Sequence, residues 1–460
     1  MSFPIEGLSD AGRGILASSL WVATWWVFEV LPLAATSLLP IVLFPLSGGL
    51  SLVDTVPGYA HKLIILLLAG FLIARAVQRW NLHRRLALLV INATGTAPAR
   101  LVLGFMAATA LLSMWISNTA TSVMMLPIGM AVIQTINDRP ETPANERTEF
   151  GRALMLGIAY AASIGGTATL IGSPTNLVFS GAVEELFDTE ISFLDWMKFG
   201  LPFSLTLLVL CWLYLTRVAF RLPDGPGEPE TARLMRRELQ KLGAITVPER
   251  RTLLVFAGVA FLWIFGKYTL KIYLPALEDT IVGVVGALLL FLLPAGNGTP
   301  DKLLDWDTAK QLPWGVLLLF GGGLTIAAGF DQSGLANWLG EQLTGLDGLP
   351  AFALLLAVIA IVNFLTELTS NVATAAVFVP VLAALGLALD VEPLLLMAGA
   401  CVAASCAFML PVATPPNAVV FGSGYLRISD MVRTGGWLNV LSILLLTVYV
   451  HFFLGRIWGL

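Results

Sequence analysis

Of the 460 residues, 57% are hydrophobic and only 12% are charged, with a net charge of −4 and a mean hydropathy of +0.84. Soluble domains carry about 25% charged residues, so a water-soluble fold is excluded, and no basic run is long enough to track a phosphate backbone, which excludes nucleic-acid binding. The composition is that of a polytopic, all-α membrane protein.

A spanning helix needs about 20 mostly apolar residues. In chain order the candidates are 14–31, 34–50, 62–77, 153–171, 199–220, 253–270, 279–293, 315–330, 394–410 and 437–454. The first apolar stretch lacks the short core and cleavage site of a signal peptide. Cys211, Cys401 and Cys406 lie in apolar runs without metal or disulfide spacing, and are expected to be packing residues.

Two further apolar stretches, 101–136 and 351–389, are too long for one crossing. Each carries a related motif at its middle: S-N-T-A-T-S-V-M-M-L-P, Ser117 to Pro127, and S-N-V-A-T-A-A-V-F-V-P, Ser370 to Pro380, which agree at five of eleven positions. Each motif is followed by a second echo, G-S-P-T-N (Gly172 to Asn176) and A-T-P-P-N (Ala413 to Asn417), with an A-A-S triplet before it at Ala161 and Ala403. Upstream, the run Leu66 to Gly70 is answered by Leu317 to Gly321. The chain therefore reads as a duplication of several helices. Repeated halves with polar, Gly/Pro-interrupted segments in matching places point to the binding site of a transporter.

Loop charge sets the expected topology. Arg75, Arg79, Arg84, Arg85 and Arg100 precede the first long stretch, and Arg139, Arg147 and Arg152 follow it, so both flanks are expected on the cytoplasmic side. The second stretch is flanked by Asp331, Glu341 and Asp347, then by Asp390 and Glu392, with no Lys or Arg between Lys310 and Arg427, so both flanks are expected outside. Two re-entrant hairpins inserted from opposite faces would make an inverted repeat. Residues 221–251, with seven Lys or Arg, read as a cytoplasmic linker with an amphipathic helix near 230–242 and a solvated face.

Backbone that leaves the helical ladder within a bilayer must line a cavity or be buried in protein. At a hairpin tip, freed carbonyls with Ser and Asn oxygens can coordinate a hard cation such as sodium, and helix N-termini can face an anion. Ser113 and Thr366 stand four residues before the motif serines, a spacing that shares a helix face, so each tip is expected to present two hydroxyls and an amide oxygen. Ser and Thr also serve as plain packing groups in membrane helices; two matched copies, each partnered by a hydroxyl-Pro-x-Asn break, favour a site. Among intramembrane charges, Glu367 is expected to be structural and Glu29 a packing or interface residue. His61, His83 and His451 have neither metal spacing nor a nucleophile partner, and no acid, base or nucleophile constellation is present. The chain is not expected to be an enzyme.

The segments S-M-W-I-S-N-T-A-T, S-I-G-G-T-A-T-L-I-G-S-P-T-N, W-G-V-L-L-L-F-G-G-G-L and A-A-S-C-A-F-M-L-P-V-A-T-P-P-N-A resemble the divalent anion/sodium symporter family, which includes the INDY-type bacterial dicarboxylate transporters. The resemblance covers nearly the whole chain. It implies a homodimeric elevator transporter in the cell inner membrane, with two re-entrant hairpins and two broken transmembrane helices. Residues 1–99 and 252–346 would form the scaffold, 100–220 and 347–460 the transport domain, and 221–251 the linker. It implies one sodium at Ser113, Ser117, Asn118 and the Gly172 carbonyl, and a second at Thr366, Thr369, Asn371 and the Ala413 carbonyl. The anion would lie near Ser117, Asn118, Thr119, Ser173, Pro174, Ser370, Asn371, Val372, Thr414 and Pro415. No organic cofactor is implied; the partners are a small dianion, sodium and membrane lipids.

Two departures stand out. Val372 replaces the Thr usual in the second motif, which opens sulfate or another small dianion as an alternative to a C4-dicarboxylate such as succinate, malate or fumarate. The chain also opens at what resembles the second helix of the family. A sodium-independent exchanger of the same fold would favour a basic residue near a tip, and none lies close in sequence. An anion channel would need a continuous pore.

Overall fold

The computed structural model describes residues 5–137, 144–222, 229–342 and 350–459. Arg139, Asp347, part of the linker and the expected boundary at 346/347 lie outside them. Among the described residues the chain is helical throughout, with one isolated β-bridge between Pro294 and Lys302. Among the described residues, seven helices are long and apolar enough to cross a membrane.

The chain begins with α1 (Asp10–Val27), capped by Ser9, whose side chain accepts the Gly12 amide. Glu29 then turns left-handed (φ 47°) ahead of Pro32, and the expected helix over 34–50 is instead two short ones, α2 (Leu33–Thr36) and α3 (Leu39–Leu46), followed by α4 (Leu52–Thr55). Pro40 and Pro45 lack the amide that would continue the ladder, so apolarity alone did not carry one rod. There follow α5 (Lys62–Arg79), α6 (Leu82–Thr94), α7 (Pro98–Ser113), α8 (Asn118–Asn137), α9 (Ala144–Gly166), α10 (Pro174–Phe187) and α11 (Phe193–Leu213). The linker helix α12 (Pro229–Lys241) is amphipathic as expected; Met235 is buried, and Arg84 of α6 donates to Glu238 at 2.8 Å.

The second half runs α13 (Val247–Phe265), α14 (Asp279–Leu292), α15 (Trp306–Ala309), α16 (Trp314–Gln332), α17 (Leu335–Gln342), α18 (Ala351–Leu365), α19 (Asn371–Ala388), α20 (Pro393–Ala404), α21 (Pro415–Phe421), α22 (Ile428–Tyr449) and α23 (Gly455–Trp458). Both long apolar stretches are thus broken at their motifs, between Ser113 and Asn118 and between Leu365 and Asn371. The expected helices 153–171 and 394–410 stop earlier, at Gly166 and Ala404, because the segments 167–173 and 405–414 leave the helix. All three cysteines are buried and unpaired.

The local structure repeats beyond the motifs. After each non-helical segment a long helix packs against it through a glycine: a Cβ at Gly200 of α11 would lie 2.4 Å from the Thr167 carbonyl oxygen, and one at Gly435 of α22 would lie 2.0 Å from that of Phe408. Neither approach leaves room for a side chain. Both helices end in a π-helical stretch, Tyr214–Ala219 and Val450–Leu454. The chain end then places Trp458 among Phe179, Trp196 and Phe199, with its indole N–H donated to the Asp195 carbonyl at 3.0 Å.

Candidate functional site

The non-helical segments are held open by two asparagines. Asn176, one turn into α10, donates through Nδ2 to the carbonyls of Gly166 (3.0 Å) and Thr169 (2.7 Å). Asn417 in α21 does the same to Ala407 (3.3 Å) and Leu410 (3.0 Å). Each amide satisfies carbonyls that a continued helix would have satisfied, which is what lets the backbone leave the helix while buried. In the sequence these two asparagines are only letters of a motif, and their recurrence in both motifs is the available signal for a clamp.

Glu367 clamps the second segment from the other side. Its carboxylate accepts the amides of Phe408 (2.7 Å), Met409 (2.9 Å) and Leu410 (3.0 Å), and Nδ2 of Asn439 (2.8 Å). The structural role expected for this buried acid is the one it plays. In the first half, Thr169 Oγ1 donates to the Met114 carbonyl at 2.5 Å, at the place matching Glu367.

At each helix break a small group of oxygens gathers. Ser113 Oγ lies 2.6 Å from Asn118 Oδ1 and 2.7 Å from the Ala162 carbonyl. Thr366 Oγ1 lies 2.8 Å from Asn371 Oδ1 and 3.0 Å from the Ala404 carbonyl. Three oxygens share a single hydroxyl proton in each cluster, so each is electron-rich toward a cation. The Ala162 and Ala404 carbonyls lie in the last turns of α9 and α20, the negative ends of those helices. Gly172 joins the first group: a Cβ at Gly166 would be 2.7 Å from Asn118 Oδ1 and 3.1 Å from the Gly172 carbonyl oxygen, so both oxygens face the bare glycine.

The pairing differs from the one expected. The four-residue spacing assumed a continuing helix, but α7 stops at Ser113 and α18 at Leu365, so contact is made across the break at i,i+5. Ser117 instead accepts the Ala120 amide at 3.4 Å, and Thr369 shares a hydrogen bond with Thr374, again at i,i+5, at 2.7 Å.

Between the two breaks lies a cavity of about 880 Å³. It brings together all ten residues expected near the anion: Ser117, Asn118 and Thr119; Ser173 and Pro174; Ser370, Asn371 and Val372; Thr414 and Pro415. Gly172, Thr369 and Ala413 also line it, whereas Ser113 and Thr366 are buried behind it. Four helices, α8, α10, α19 and α21, begin at its wall, at Asn118, Pro174, Asn371 and Pro415. α8 and α19 open on residues that carry an N–H, whereas Pro174 opens α10, Pro415 and Pro416 open α21, and the Asn417 amide is taken by Thr414 Oγ1 at 3.2 Å, so free amides for an anion come mainly from α8 and α19. Ser173, Thr175 and Ser405 form a buried hydroxyl chain (2.8 Å for both Thr175 contacts) that ties the two non-helical segments together.

Two ionic groups on the opposite wall correct the sequence reading. Arg75 of α5 lines the cavity, although no Lys or Arg lies close to either motif along the chain. Its Nη2 donates to Gln311 Oε1 (2.7 Å), its Nη1 to Gln78 Oε1 (3.1 Å), and its buried Nε has no partner. Glu29, expected as a packing residue, is exposed to the same cavity because the left-handed turn after α1 swings it out of the helix. No signal in one sequence pairs Arg75 with motifs so distant; folding does. A single charge on the wall of a cavity contributes about 1–2 kcal/mol to a dianion. Arg75→Gln is therefore expected to raise the KM for the anion about tenfold with little loss of maximal rate. Concentration-dependent uptake checks this, and an unchanged KM would remove Arg75 from the site.

Comparison with known proteins adds to this geometry. The family model described as "Sodium:sulfate symporter transmembrane region" matches residues 3–459. The sodium-dependent dicarboxylate transporter SdcS of Staphylococcus saprophyticus is 45% identical, over 100% of this chain and 89% of its own length. SdcS of Staphylococcus aureus is 44% identical over the same shares. Among solved structures, the Alcanivorax borkumensis YdaH transporter aligns with a TM-score of 0.58 at 15% identity, over 96% of this chain and 99% of that one. Neisseria gonorrhoeae MtrF aligns at 0.57 and 12%, over 97% and 96%. At such low identity these two bear on the fold alone.

Proposed function

We infer function from a family premise: this chain belongs to the sodium:sulfate symporter family, the divalent anion/sodium symporters. It is a multi-pass plasma-membrane transporter and not an enzyme. We propose that it carries a C4-dicarboxylate such as succinate, malate or fumarate into the cell together with sodium. The observation that carries the reading is the pair of proton-poor oxygen clusters at Ser113–Asn118 and Thr366–Asn371, flanking a cavity at which four helices begin.

The energetics require coupling. Bringing a dianion into a compartment that is negative inside costs about 4.6 kcal/mol per 100 mV. Two sodium ions cancel that charge, and a third would make uptake electrogenic. In the proposed order sodium enters first, at Ser113, Ser117, Asn118 and Gly172 on one side and Thr366, Thr369, Asn371 and Ala413 on the other. It draws Asn118 and Asn371 into place, and the anion then binds between Ser117–Thr119 and Ser370–Val372, against Ser173, Pro174, Thr414 and Pro415. Reciprocal coupling follows, each ligand raising the affinity of the other. We further propose that the two breaks are re-entrant hairpins of an inverted repeat, and that residues 100–220 and 347–460 move as an elevator against a dimeric scaffold of 1–99 and 252–346. In that arrangement 221–251 is the cytoplasmic tether, and the wall bearing Arg75 belongs to the fixed part.

The deciding experiment is uptake of labelled succinate into proteoliposomes. Replacing external sodium by potassium or choline is expected to reduce uptake to background, about 100-fold. Undiminished uptake would favour an exchanger and end the symport reading. Val372, which puts an apolar side chain on the cavity wall, favours sulfate as a second reading. A competition series with malate, fumarate, citrate and sulfate separates the two. Val372→Thr is expected to tighten succinate binding three- to tenfold, about 1 kcal/mol, by adding one hydroxyl donor. An unaltered order of competitors would clear Val372 of a role in selectivity.

A further inference from the structure

Away from the anion cavity, a second cavity of about 770 Å³ opens where the start of α9, the π stretch after α11 and the first turns of α22 converge. One end is charged, with Glu149 and Arg152 from α9 and Asp430 and Arg433 from α22. The rest is apolar and open outward, with Val218 at 64% and Trp437 at 65% exposed. Arg433, Trp437, Val440 and Leu444 recur at helical spacing, so they form one stripe of α22 about 16 Å long. The stripe starts at the basic end of a candidate membrane span and runs down its apolar length.

The floor of the charged end is fixed. Arg152 Nε lies 3.3 Å from Asp430 Oδ2, Asp430 accepts the Arg427 amide at 3.0 Å, and Tyr214 donates to the Thr434 carbonyl at 3.1 Å. Arg433 and Glu149 are left over, with no ion-pair partner among the described residues. A guanidinium at the edge of the hydrocarbon is costly without a counter-ion, and an unpaired carboxylate lining the same cavity equally so.

We propose that this groove binds an aminophospholipid, a diacyl lipid whose headgroup carries both a phosphate and a primary ammonium. The phosphate sits on Arg433, whose planar fork suits a phosphate's paired oxygens. The ammonium donates to Glu149, and one acyl chain lies along Trp437, Val440 and Leu444, with the indole at headgroup depth. The charges at the polar end sum to zero, which fits a zwitterion. A purely anionic headgroup would leave Glu149 facing like charge, and a quaternary ammonium has no N–H to donate. The inference is independent of what the chain transports.

The test uses the full-length protein in nanodiscs of phosphatidylethanolamine, phosphatidylcholine and phosphatidylglycerol with identical acyl chains, followed by stepwise delipidation and native mass spectrometry. Wild type is expected to retain phosphatidylethanolamine about tenfold over either of the others, and Arg433→Ala to lower that retention about tenfold, the loss of one charge-assisted hydrogen bond. Glu149→Gln is expected to erase the preference over phosphatidylcholine while sparing phosphate-dependent retention. Equal retention of the three lipids by wild type overturns the proposal. So does preference for phosphatidylglycerol, which would make this a plain anionic-lipid site, and so does a dimer that forms only without lipid and is lost in Trp437→Ala. The wild-type comparison decides even where a variant fails to fold.

Discussion

Glu367→Ala is expected to destabilise the protein by about 3–6 kcal/mol, because it strips the acceptor from the partly buried Met409 and Leu410 amides, at about 1–1.5 kcal/mol each, and from the buried Asn439 Nδ2, at about 1–3 kcal/mol. Phe408 keeps a weaker bond to Asn439 Oδ1 at 3.2 Å. The loss is comparable with the whole stability of many domains, about 5–15 kcal/mol. Thermal unfolding in detergent would register it as a large fall in melting temperature and in yield of monodisperse protein. Glu367→Gln retains one carbonyl oxygen and is expected to cost about 1–3 kcal/mol, with the Leu410 amide orphaned. An alanine variant as stable as wild type would mean that the segment 405–414 is held by its asparagine clamp alone.

Asn118→Ala and Asn371→Ala are each expected to lower sodium-driven uptake at least about 100-fold. Outer-shell partners of a bound metal are worth 10–100-fold, and these amide oxygens stand inside the proposed sodium clusters and on the cavity wall at once. The signature is specific: the sodium concentration for half-maximal uptake should rise along with the KM for the anion, because the two are linked. Their stability should change little, since each amide oxygen bonds only one hydroxyl that has a second acceptor, at Ala162 or Ala404. A variant with normal sodium dependence and a raised anion KM would confine that asparagine to the anion site.

Much of this arrangement was readable in the chain, for physical reasons. Ser-Asn-Thr and Ser-Pro-Thr-Asn compete with the backbone for hydrogen bonds and cannot sustain a helix, so the motifs marked the breaks at 113–118 and 365–371, whereas the segments 167–173 and 405–414 leave the helix earlier than the expected ends at 171 and 410. Their duplication pointed to a shared site, and the family resemblance implied the residues that meet in the cavity. Three features stayed hidden. Helix continuity was assumed where Pro40 and Pro45 interrupt it, and where Ser113 ends α7 one turn before its expected partner. Arg75 was missed because distance along the chain says nothing about the far wall of a cavity. The clamps at Asn176 and Asn417, and the amides that give Glu367 its structural role, stay hidden because those partners are backbone groups, which carry no letter.

The π-helical stretches at Tyr214–Ala219 and Val450–Leu454 hold one residue more per turn than an α-helix would. Each surplus residue rotates everything after it by about 100° relative to an uninterrupted rod. After α22 that rotation decides where Trp458 lands, and so whether its turn latches onto the first turn of α11 through Asp195. The turn that carries Trp458 thus acts as a clasp on the start of α11, set by a one-residue miscount found in both π stretches.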